Sequence, residues 1–224
     1  MSDLKEPTQT HIVLLSGGLD SVVNLHCAHL VGKVLRTITF NYGQRSVRQE
    51  IKAASFFSQK IKVQHEVIDI PWLAKLTNTA LVNNKEELPH LKNLDDMNEG
   101  NASAKAVWVP NRNGVFLNIA ATFAESLGAD FVVPGFNKEE AATFLDNSQS
   151  FIEATNKAFL LSTMSHVRVK CFTTDLDKTG MIKKAVELGV DLESVWSCYR
   201  DVKAPCGQCE SCQRTLRARK AVGV

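Results

Sequence analysis

The stretch HIVLLSGGLDS, residues 11–21, places a short apolar run directly before a pair of glycines. Residues 11–15 have the length and composition of a buried strand, and residues 19–31 carry apolar side chains at helical spacing. The stretch therefore predicts a strand, a glycine turn and a helix. The free backbone N–H groups and the positive end of such a helix form a site for an anion.

The same alternation continues along the chain. Strands are predicted at residues 34–40, 63–70, 129–133 and 167–172, and helices at residues 45–61, 113–127, 151–164 and 178–188. This order predicts an α/β fold, a doubly wound parallel sheet with helices on both faces. Residues 76–107 show no convincing period, and their length indicates a mobile lid or insertion. We expect a main domain over residues 1–190 and a small C-terminal segment over residues 191–224.

Composition and charge argue against a nucleic-acid-binding, membrane-spanning or secreted protein. The 224 residues are 44% hydrophobic and 22% charged, and the formal net charge is +2. This charge does not indicate a nucleic-acid partner, which usually goes with a strong basic excess. No run approaches the roughly 20 apolar residues that span a bilayer, and the polar N-terminus lacks the apolar core of a signal peptide. We therefore expect a cytoplasmic protein with no membrane partner.

The glycine turn is predicted to hold the phosphates of a nucleotide. Ser16 and Ser21 offer hydroxyl donors, and Asp20 offers a carboxylate suited to Mg²⁺. The chain has no G-x-x-x-x-G-K-[ST] motif, so the turn is not a Walker loop. The alternative is a glycine pair that only caps a helix. The predicted nucleotide-binding residues are Leu14, Leu15, Ser16, Gly17, Gly18, Leu19, Asp20, Ser21, Val22, Val23 and Asn24.

Four cysteines crowd into the C-terminal segment. Cys206, Cys209 and Cys212 form a C-x₂-C-x₂-C run, and Cys198 lies a short loop upstream. Four thiolates close a tetrahedral zinc site and leave no open coordination position, so the expected role is structural. An iron–sulfur cluster is one alternative, although the next cysteine and proline of the ferredoxin run are missing. Catalytic or redox thiols are the other alternative.

Together the two motifs resemble the 7-cyano-7-deazaguanine synthase family, within the PP-loop ATP pyrophosphatase superfamily. The resemblance runs nearly end to end. It rests on SGGLDS at residues 16–21, YGQR at 42–45, VP at 109–110, RN at 112–113, and WSCY at 196–199 leading to CGQCESC. It implies an adenine nucleotide alpha hydrolase-like fold with ATP, Mg²⁺ and Zn²⁺ as cofactors. The resemblance is also compatible with a homodimer, which would be unsurprising for this family.

The resemblance also implies a reaction. An ATP-dependent carbon–nitrogen ligase of this family converts 7-carboxy-7-deazaguanine and ammonia into 7-cyano-7-deazaguanine, or preQ0, in queuosine biosynthesis. The carboxylate is first adenylated and displaced by ammonia to give an amide, and a second adenylation of the amide oxygen permits elimination to the nitrile. The implied partners are therefore this small molecule and ammonia.

The family motifs suggest roles for particular residues. Ser16, Asp20 and Arg45 are predicted to be catalytic, although Arg45 can also be read as a solvated helix residue. Tyr42 and Gln44 follow a predicted strand, at the end where ligands of open α/β sheets gather, and are predicted to bind substrate. Arg112 is predicted to bind substrate as well. Its neighbour Asn113 is equally well explained as a helix cap.

One loop departs from the family pattern. Residues 135–148 read GFNKEEAATFLDNS, where the commoner segment is similar to Asp-Tyr-Ser-Gly-Tyr-Pro-Asp-Cys-Arg. The loop follows a predicted strand and should line the substrate pocket. Phe136 or Phe144 is predicted to stack on the ring, and Asp146 or Glu139 to accept hydrogen bonds from its amino group. A solvent-facing acidic loop is the alternative, and the departure leaves the identity of the heterocycle open.

Three other functions are compatible with the motifs. A related PP-loop ligase or amidase would adenylate another carboxylate through the same first half-reaction. A tRNA-thiolating PP-loop enzyme would need a broad basic surface. The chain offers only a basic tail, expected to form an exposed face or an interface, with the residues Arg214, Arg217, Arg219 and Lys220. A non-catalytic nucleotide-binding protein would tolerate loss of Asp20, which this chain retains.

Overall fold

The computed structural model describes residues 9–91, 93–94 and 96–224, so the expectation for the extreme N-terminus lies outside the described residues. Within them, five parallel strands form one sheet in the order β3-β2-β1-β4-β5. The strands are β1 Gln9–Leu14, β2 Gly32–Asn41, β3 His65–Asp69, β4 Phe131–Val133 and β5 Arg168–Val169. The sheet confirms the predicted parallel α/β fold, with β3, β4 and β5 shorter than expected.

Helices cover both faces of the sheet. They are α1 Leu19–Val31, α2 Val47–Lys60, α3 Trp72–Lys75, α4 Met97–Val107, α5 Arg112–Leu127, α6 Lys138–Ala141, α7 Gln149–Ser162, α8 Lys178–Glu187 and α9 Glu210–Val222. Short 3₁₀ turns lie at Leu145–Asn147 and Leu192–Ser194. Among the described residues, no helix combines the length and the apolar character needed to cross a bilayer.

Side chains of β1 alternate between two apolar cores. Ile12 packs in one cluster with Leu117 of α5, and Val13 packs in the other with Val22 of α1. Helices α1 and α5 therefore lie on opposite faces of the sheet. Because β2 follows on one side of β1 and β4 lies on the other, the strand order reverses at β1. Ligands of open α/β sheets bind beyond the carboxyl ends of the strands at such a reversal.

Helix α4 lies inside the segment for which no regular structure was predicted, so that prediction was wrong for residues 97–107. The sequence feature that indicates this helix is the capping residue at the N-terminus of α4. The carboxylate of Asp96 accepts hydrogen bonds from the backbone N–H groups of Asn98 (2.8 Å) and Glu99 (3.3 Å). An N-cap Asp followed three residues later by Glu is typical of a helix start. Gly100 hid the helical pattern because glycine is a poor helix former.

The C-terminal segment is attached to the main sheet by packing and by a hydrogen bond. Helix α9 packs on α8, where Ala218 shares the α1 core with Met181. The backbone N–H of Trp196 donates to the carbonyl oxygen of Gly17 at 2.8 Å. The division near residue 191 stays a prediction, but the segment reaches the glycine turn directly.

Candidate active site

The glycine turn between β1 and α1 is shaped by close packing. Gly17 has φ +77°, and a Cβ added there would lie 2.5 Å from the Cβ of Ala53 and 2.9 Å from the backbone N of Ala54. Gly18 is the N-cap of α1, and no side chain in the described part of the chain caps this helix. The first N–H groups of a helix have no partner within the helix. They are therefore available to an anion at this turn.

Two serines brace the turn. The Ser16 N–H donates to the Ser21 hydroxyl at 3.2 Å, and the Gly18 N–H donates to the Ser16 hydroxyl at 3.3 Å. The Ser21 hydroxyl donates in turn to the Gly18 carbonyl oxygen at 3.0 Å. These bonds use the turn's own side chains to set its backbone before a ligand arrives.

The last three residues of the predicted nucleotide set do not reach the cavity described below. Val22 and Val23 are fully buried in the core beneath α1. The amide of Asn24 donates to the carbonyl oxygen of Asp20 at 2.9 Å and to the hydroxyl of Thr173 at 2.6 Å. These contacts stabilise the packing of α1, so the structure places all three residues behind the turn.

A cavity of about 290 Å³ opens over the carboxyl ends of β1, β2 and β4. It is lined by most of the residues predicted from the sequence, namely Leu14, Leu15, Ser16, Gly18, Leu19, Asp20, Ser21, Tyr42, Gln44, Arg112, Asn113, Phe136, Phe144 and Asp146. Residues far apart in the chain thus meet at the predicted edge of the sheet. Gly17 and Arg45 are not part of this lining.

A buried lysine that the sequence did not single out lies against the turn. The ammonium of Lys178, at the start of α8, forms an ion pair with Asp20 and a second with Glu140 at 3.2 Å. Burial opposes the charged form of Lys178, but the two carboxylates outweigh burial and raise its pKa. The Oδ1 atom of Asp20 has no hydrogen-bond partner among the described residues. This buried oxygen is the ligand atom that Asp20 would offer to a cation, and one or two carboxylates are typical of Mg²⁺ sites that also use substrate phosphates.

Two aromatic pairs line the cavity. Phe40 and Phe116 stack with ring centroids 4.2 Å apart and an interplanar angle of 15°. Trp108 and Phe144 are nearly parallel, at 5.9 Å and 6°. Phe144 thus lies where a ring-stacking role was predicted. Trp108 was not predicted, because before α5 the chain shows only a short apolar run.

Arg112 begins α5 and faces the end of β2. Its Nη1 donates to the hydroxyl of Tyr42 at 3.3 Å. Asn113 is not the cap of α5, because that position belongs to Asn111, with φ 50°. The buried amide of Asn113 instead donates to the carbonyl oxygen of Asp146 at 3.3 Å. Arg112 therefore contacts the end of β2, and Asn113 contacts the loop after β4.

The side chain of Gln44 forms three hydrogen bonds within the wall of the cavity. Its Oε1 accepts from the Tyr42 N–H at 3.0 Å, and its Nε2 donates to the Phe40 carbonyl oxygen at 2.9 Å and to Glu50 at 2.8 Å. Burial raises the pKa of Glu50. Because both amide hydrogens of Gln44 are used inside the protein, the residue holds the β2 turn in shape.

Arg45 points away from the cavity. Its Nη2 donates to the carbonyl oxygens of Asn83 and, at 2.5 Å, Glu86. Its backbone N–H donates to the Leu81 carbonyl oxygen at 2.9 Å. These bonds fasten residues 81–86 to the start of α2. The predicted catalytic role of Arg45 has no support from its placement, and it is not a freely solvated helix residue either.

The loop after β4 is tied to α8 and α9. Glu139 accepts from the Lys178 N–H at 3.1 Å and pairs with Arg214 at 3.2 Å, so its carboxylate is already occupied. Arg214 also pairs with Glu210 at 2.9 Å and lines the cavity. The prediction that Arg214 lies on an exposed face or interface was therefore wrong. Helical spacing alone could not show that this side of α9 covers the cavity.

The four C-terminal cysteines come together as predicted. The sulfur atoms of Cys198, Cys206, Cys209 and Cys212 all lie within 4.8 Å of one another. A tetrahedral ion with bonds of about 2.3 Å separates its sulfurs by roughly 3.8 Å, so the cluster is compatible with zinc. In a four-iron cluster each thiolate binds a different iron, which requires a wider set of sulfurs.

Backbone N–H groups support the thiolates. The Cys198 sulfur accepts from the N–H groups of Arg200 and Cys206, each at 3.4 Å, and the Cys206 sulfur accepts from the Cys209 N–H at 3.4 Å. The neighbouring thiols of Cys209 and Cys212 lower the pKa of Cys198. The same interactions raise the pKa of Cys209 and Cys212, so within the cluster Cys198 is the thiol that most favours the charged form a metal requires.

The parallel sheet that reverses at β1, with an SGGLDS turn opening a helix at that reversal, defines a nucleotide-binding α/β protein of the PP-loop type. A family model described as "Queuosine biosynthesis protein QueC" matches residues 10–223, and the chain belongs to this family. The family predicted from the motifs is thereby confirmed.

Curated proteins similar to this chain share the name 7-cyano-7-deazaguanine synthase. The 7-cyano-7-deazaguanine synthase of Pelotomaculum thermopropionicum is 47% identical, over 95% of this chain and 97% of its own. The protein of the same name from Methanosarcina mazei is 46% identical, over 95% and 94%. That from Bdellovibrio bacteriovorus is 43% identical, over 92% and 91%. These relatives favour the synthase family over the tRNA-thiolating and non-catalytic alternatives.

Proposed function

We propose that this chain is an ATP-dependent carbon–nitrogen ligase that converts 7-carboxy-7-deazaguanine and ammonia into 7-cyano-7-deazaguanine. The observation that carries the proposal is the uncapped glycine turn, which opens into a cavity beside the buried Lys178–Asp20 pair. The name shared by the relatives supports the choice of substrate.

The turn and its neighbours bind the triphosphate of ATP. The first N–H groups of α1 supply positive charge where the α and β phosphates separate, and the Lys178 ammonium holds the carboxylates of Asp20 and Glu140 beside them. Asp20, through its unpartnered Oδ1, is the residue that would hold Mg²⁺. When bound, Mg²⁺ would supply positive charge that offsets the charge of the phosphates. Ser16 and Ser21 keep the turn in place.

The reaction requires two activations. A carboxylate oxygen attacks the α-phosphorus, an O–P bond forms, and pyrophosphate leaves with the electron pair of the broken bond. Ammonia then adds to the acyl carbon, and loss of AMP and a proton gives the amide. The amide oxygen is adenylated in the same way by a second ATP. Loss of AMP and the remaining N–H protons leaves the nitrile.

The aromatic pairs divide the cavity between two ring systems. The Phe40–Phe116 pair lies at the end of β2, on the α5 face of the sheet, and serves the adenine. The Trp108–Phe144 pair serves the deazapurine, because Phe144 belongs to the loop after β4 that the sequence predicted for the substrate. Asp146, on the same loop, accepts from the ring amino group. Stacking on aromatic side chains is a common way to bind such bases.

The C-terminal cysteines hold a structural zinc ion. A closed shell of four thiolates leaves no position for the reacting groups. The segment instead contributes side chains to the cavity, including Trp196, Tyr199, Glu210 and Arg214. The metal therefore supports the reaction by holding this wall in place.

The test is direct turnover. Purified protein is incubated with ATP, Mg²⁺, ammonium and 7-carboxy-7-deazaguanine, and AMP and the nitrile are followed by mass spectrometry. Formation of both supports the proposal, and the Asp20→Asn variant serves as the matched negative control. AMP with the amide and no nitrile would indicate the amide-forming alternative. Absence of AMP with the wild-type protein would contradict the proposed substrate.

A further inference from the structure

Arg112 is a cation in the cavity that uses little of its hydrogen-bonding capacity. It is partly buried and lines the cavity. Among the described residues, its side chain makes one hydrogen bond, from Nη1 to the neutral hydroxyl of Tyr42 at 3.3 Å, and no ion pair within 4.0 Å. Taking a charge out of water without an opposite charge is unfavourable. The rest of the guanidinium fork is therefore available to an anion.

The other cations that line the cavity are already paired. Lys178 forms an ion pair with Asp20, and Arg214 forms one with Glu210 at 2.9 Å. Nearby carboxylates stabilise the charge of Arg112 through space, but none of those in the described residues forms an ion pair with it. In the described part of the chain it is thus the lining cation with free capacity for an anionic ligand.

The position of Arg112 separates it from the phosphate turn. The turn opens α1, which packs on one face of the sheet with Val13, whereas Arg112 opens α5, which packs on the other face with Ile12. Arg112 lies between Tyr42 at the end of β2 and the loop that carries Asp146. An anion on Arg112 therefore approaches the phosphates from the side opposite α1.

From this placement we propose that Arg112 binds the carboxylate of the substrate and directs one of its oxygens to the α-phosphorus of ATP. The planar fork of arginine matches a carboxylate in two parallel hydrogen bonds, and each carboxylate oxygen keeps a lone pair for attack. The inference rests on the proposed function and deepens it. Tyr42 acts as a positioning residue, because its hydroxyl fixes the orientation of the guanidinium.

The two half-reactions differ in their need for this contact. The first adenylation starts from an anion, whereas the second starts from a neutral amide. The contact with the carboxylate joins two opposite charges, whereas the amide offers the guanidinium only a neutral oxygen, so the attraction between opposite charges is lost. Arg112 therefore selects the carboxylate in the first half-reaction and contributes little to the second. An arginine that served the ATP phosphates would be needed equally in both.

The experiment compares the two starting compounds. Initial rates of AMP release are measured with 7-carboxy-7-deazaguanine and, separately, with the corresponding amide, for wild type and for Arg112→Gln. We expect kcat/KM to fall by about tenfold to 100-fold for the carboxylate, as for the loss of a charge-assisted contact. The amide should lose several-fold less than the carboxylate, because its oxygen carries no net charge for the guanidinium to attract. The KM for ATP should stay unchanged.

One further variant tests the inference if the glutamine variant does not fold, and a second serves as a control. Arg112→Lys keeps the charge without the fork and should recover part of the carboxylate activity, which tests the inference if the glutamine variant does not fold. Arg36→Gln is the matched control, because Arg36 lies on β2, pairs with Glu66 and does not line the cavity. It should leave the ratio of carboxylate to amide activity unchanged.

The outcomes are distinguishable. An equal loss on both compounds, with a raised KM for ATP, would mean that Arg112 serves the nucleotide and would overturn the inference. Wild-type protein that converts neither compound would contradict the proposed function itself. A selective loss on the carboxylate, with wild type converting both, supports both proposals.

Discussion

Replacing Gly17 by alanine should destabilise the protein through one close contact. The added Cβ would lie 2.5 Å from the Cβ of Ala53 and 2.9 Å from the backbone N of Ala54. Neither neighbour is the end of a flexible side chain, so the clash is relieved only by moving the turn away from α2. The residue also has φ +77°, where a side chain is strained.

The size of the destabilisation follows from the backbone strain, the crowding and an offsetting entropy contribution. Left-handed backbone costs a residue with a Cβ about 1–2 kcal/mol. Crowding in a packed region costs about 1–3 kcal/mol. The lower entropy of the unfolded alanine chain offsets about 0.4–1 kcal/mol. The free energy of unfolding should therefore fall by about 1–5 kcal/mol.

Gly128 provides the matched control. It ends α5 with φ +69°, and a Cβ there would meet nothing within 4 Å. Gly128→Ala should therefore cost only the backbone term, about 1 kcal/mol after the entropy offset. The two variants should differ by about 1–3 kcal/mol, and for a chain of this length each kcal/mol lowers Tm by about 2–4 °C.

The assay is thermal unfolding of both variants at one pH, with ATP-dependent AMP release as a second reading. Gly17→Ala should also lose AMP release, because the displaced turn no longer presents its N–H groups to the phosphates. Equal Tm values for the two variants would refute the argument from packing. A large Tm difference with unchanged AMP release would refute the link between this turn and the phosphates.

Three further predictions concern other parts of the molecule. Asp20→Asn should abolish pyrophosphate release without unfolding the protein, measured by pyrophosphate assay and circular dichroism, and normal turnover would contradict it. Cys209→Ser should lose zinc by elemental analysis and lower both Tm and AMP release; iron with acid-labile sulfide in the wild type would rule out the zinc assignment. His11 is fully buried, its ring nitrogens have no hydrogen-bond partner within 3.5 Å among the described residues, and burial lowers its pKa from 6.5. The unfolded chain then binds more protons below about pH 6.5, so stability should fall as the pH is lowered towards about 5. His11→Phe should weaken this dependence in urea titrations, and an unchanged slope would contradict it.

The fold could be predicted from the sequence where its periods are clear. The run before Gly17 and the apolar spacing of Leu19–Val31 correctly predicted β1 and α1, because a buried strand and an amphipathic helix follow different periods. Strand lengths were less predictable. β5 spans only Arg168–Val169, because pairing with β4 ends there whereas the apolar pattern continues to Phe172.

The site was predictable where a motif marks it and not where tertiary packing creates it. The glycine turn and the four cysteines have sequence signatures with a physical basis. Lys178 has none, because its role depends on α8 reaching back to Asp20, 158 residues earlier in the chain. Asn24 shows the opposite error, since its place in a motif suggested a ligand contact while its amide is used in the packing of α1.

The C-terminal segment links the cluster of four cysteines to the glycine turn over a few residues. Cys198 lies two residues after Trp196, whose backbone N–H donates to the Gly17 carbonyl oxygen. On the other side of the cluster, Arg214 on α9 pairs with Glu139 of the loop after β4. A tail without its metal would loosen both attachments at once. Metal loss should therefore affect nucleotide and substrate binding together, because one segment covers both sides of the same cavity.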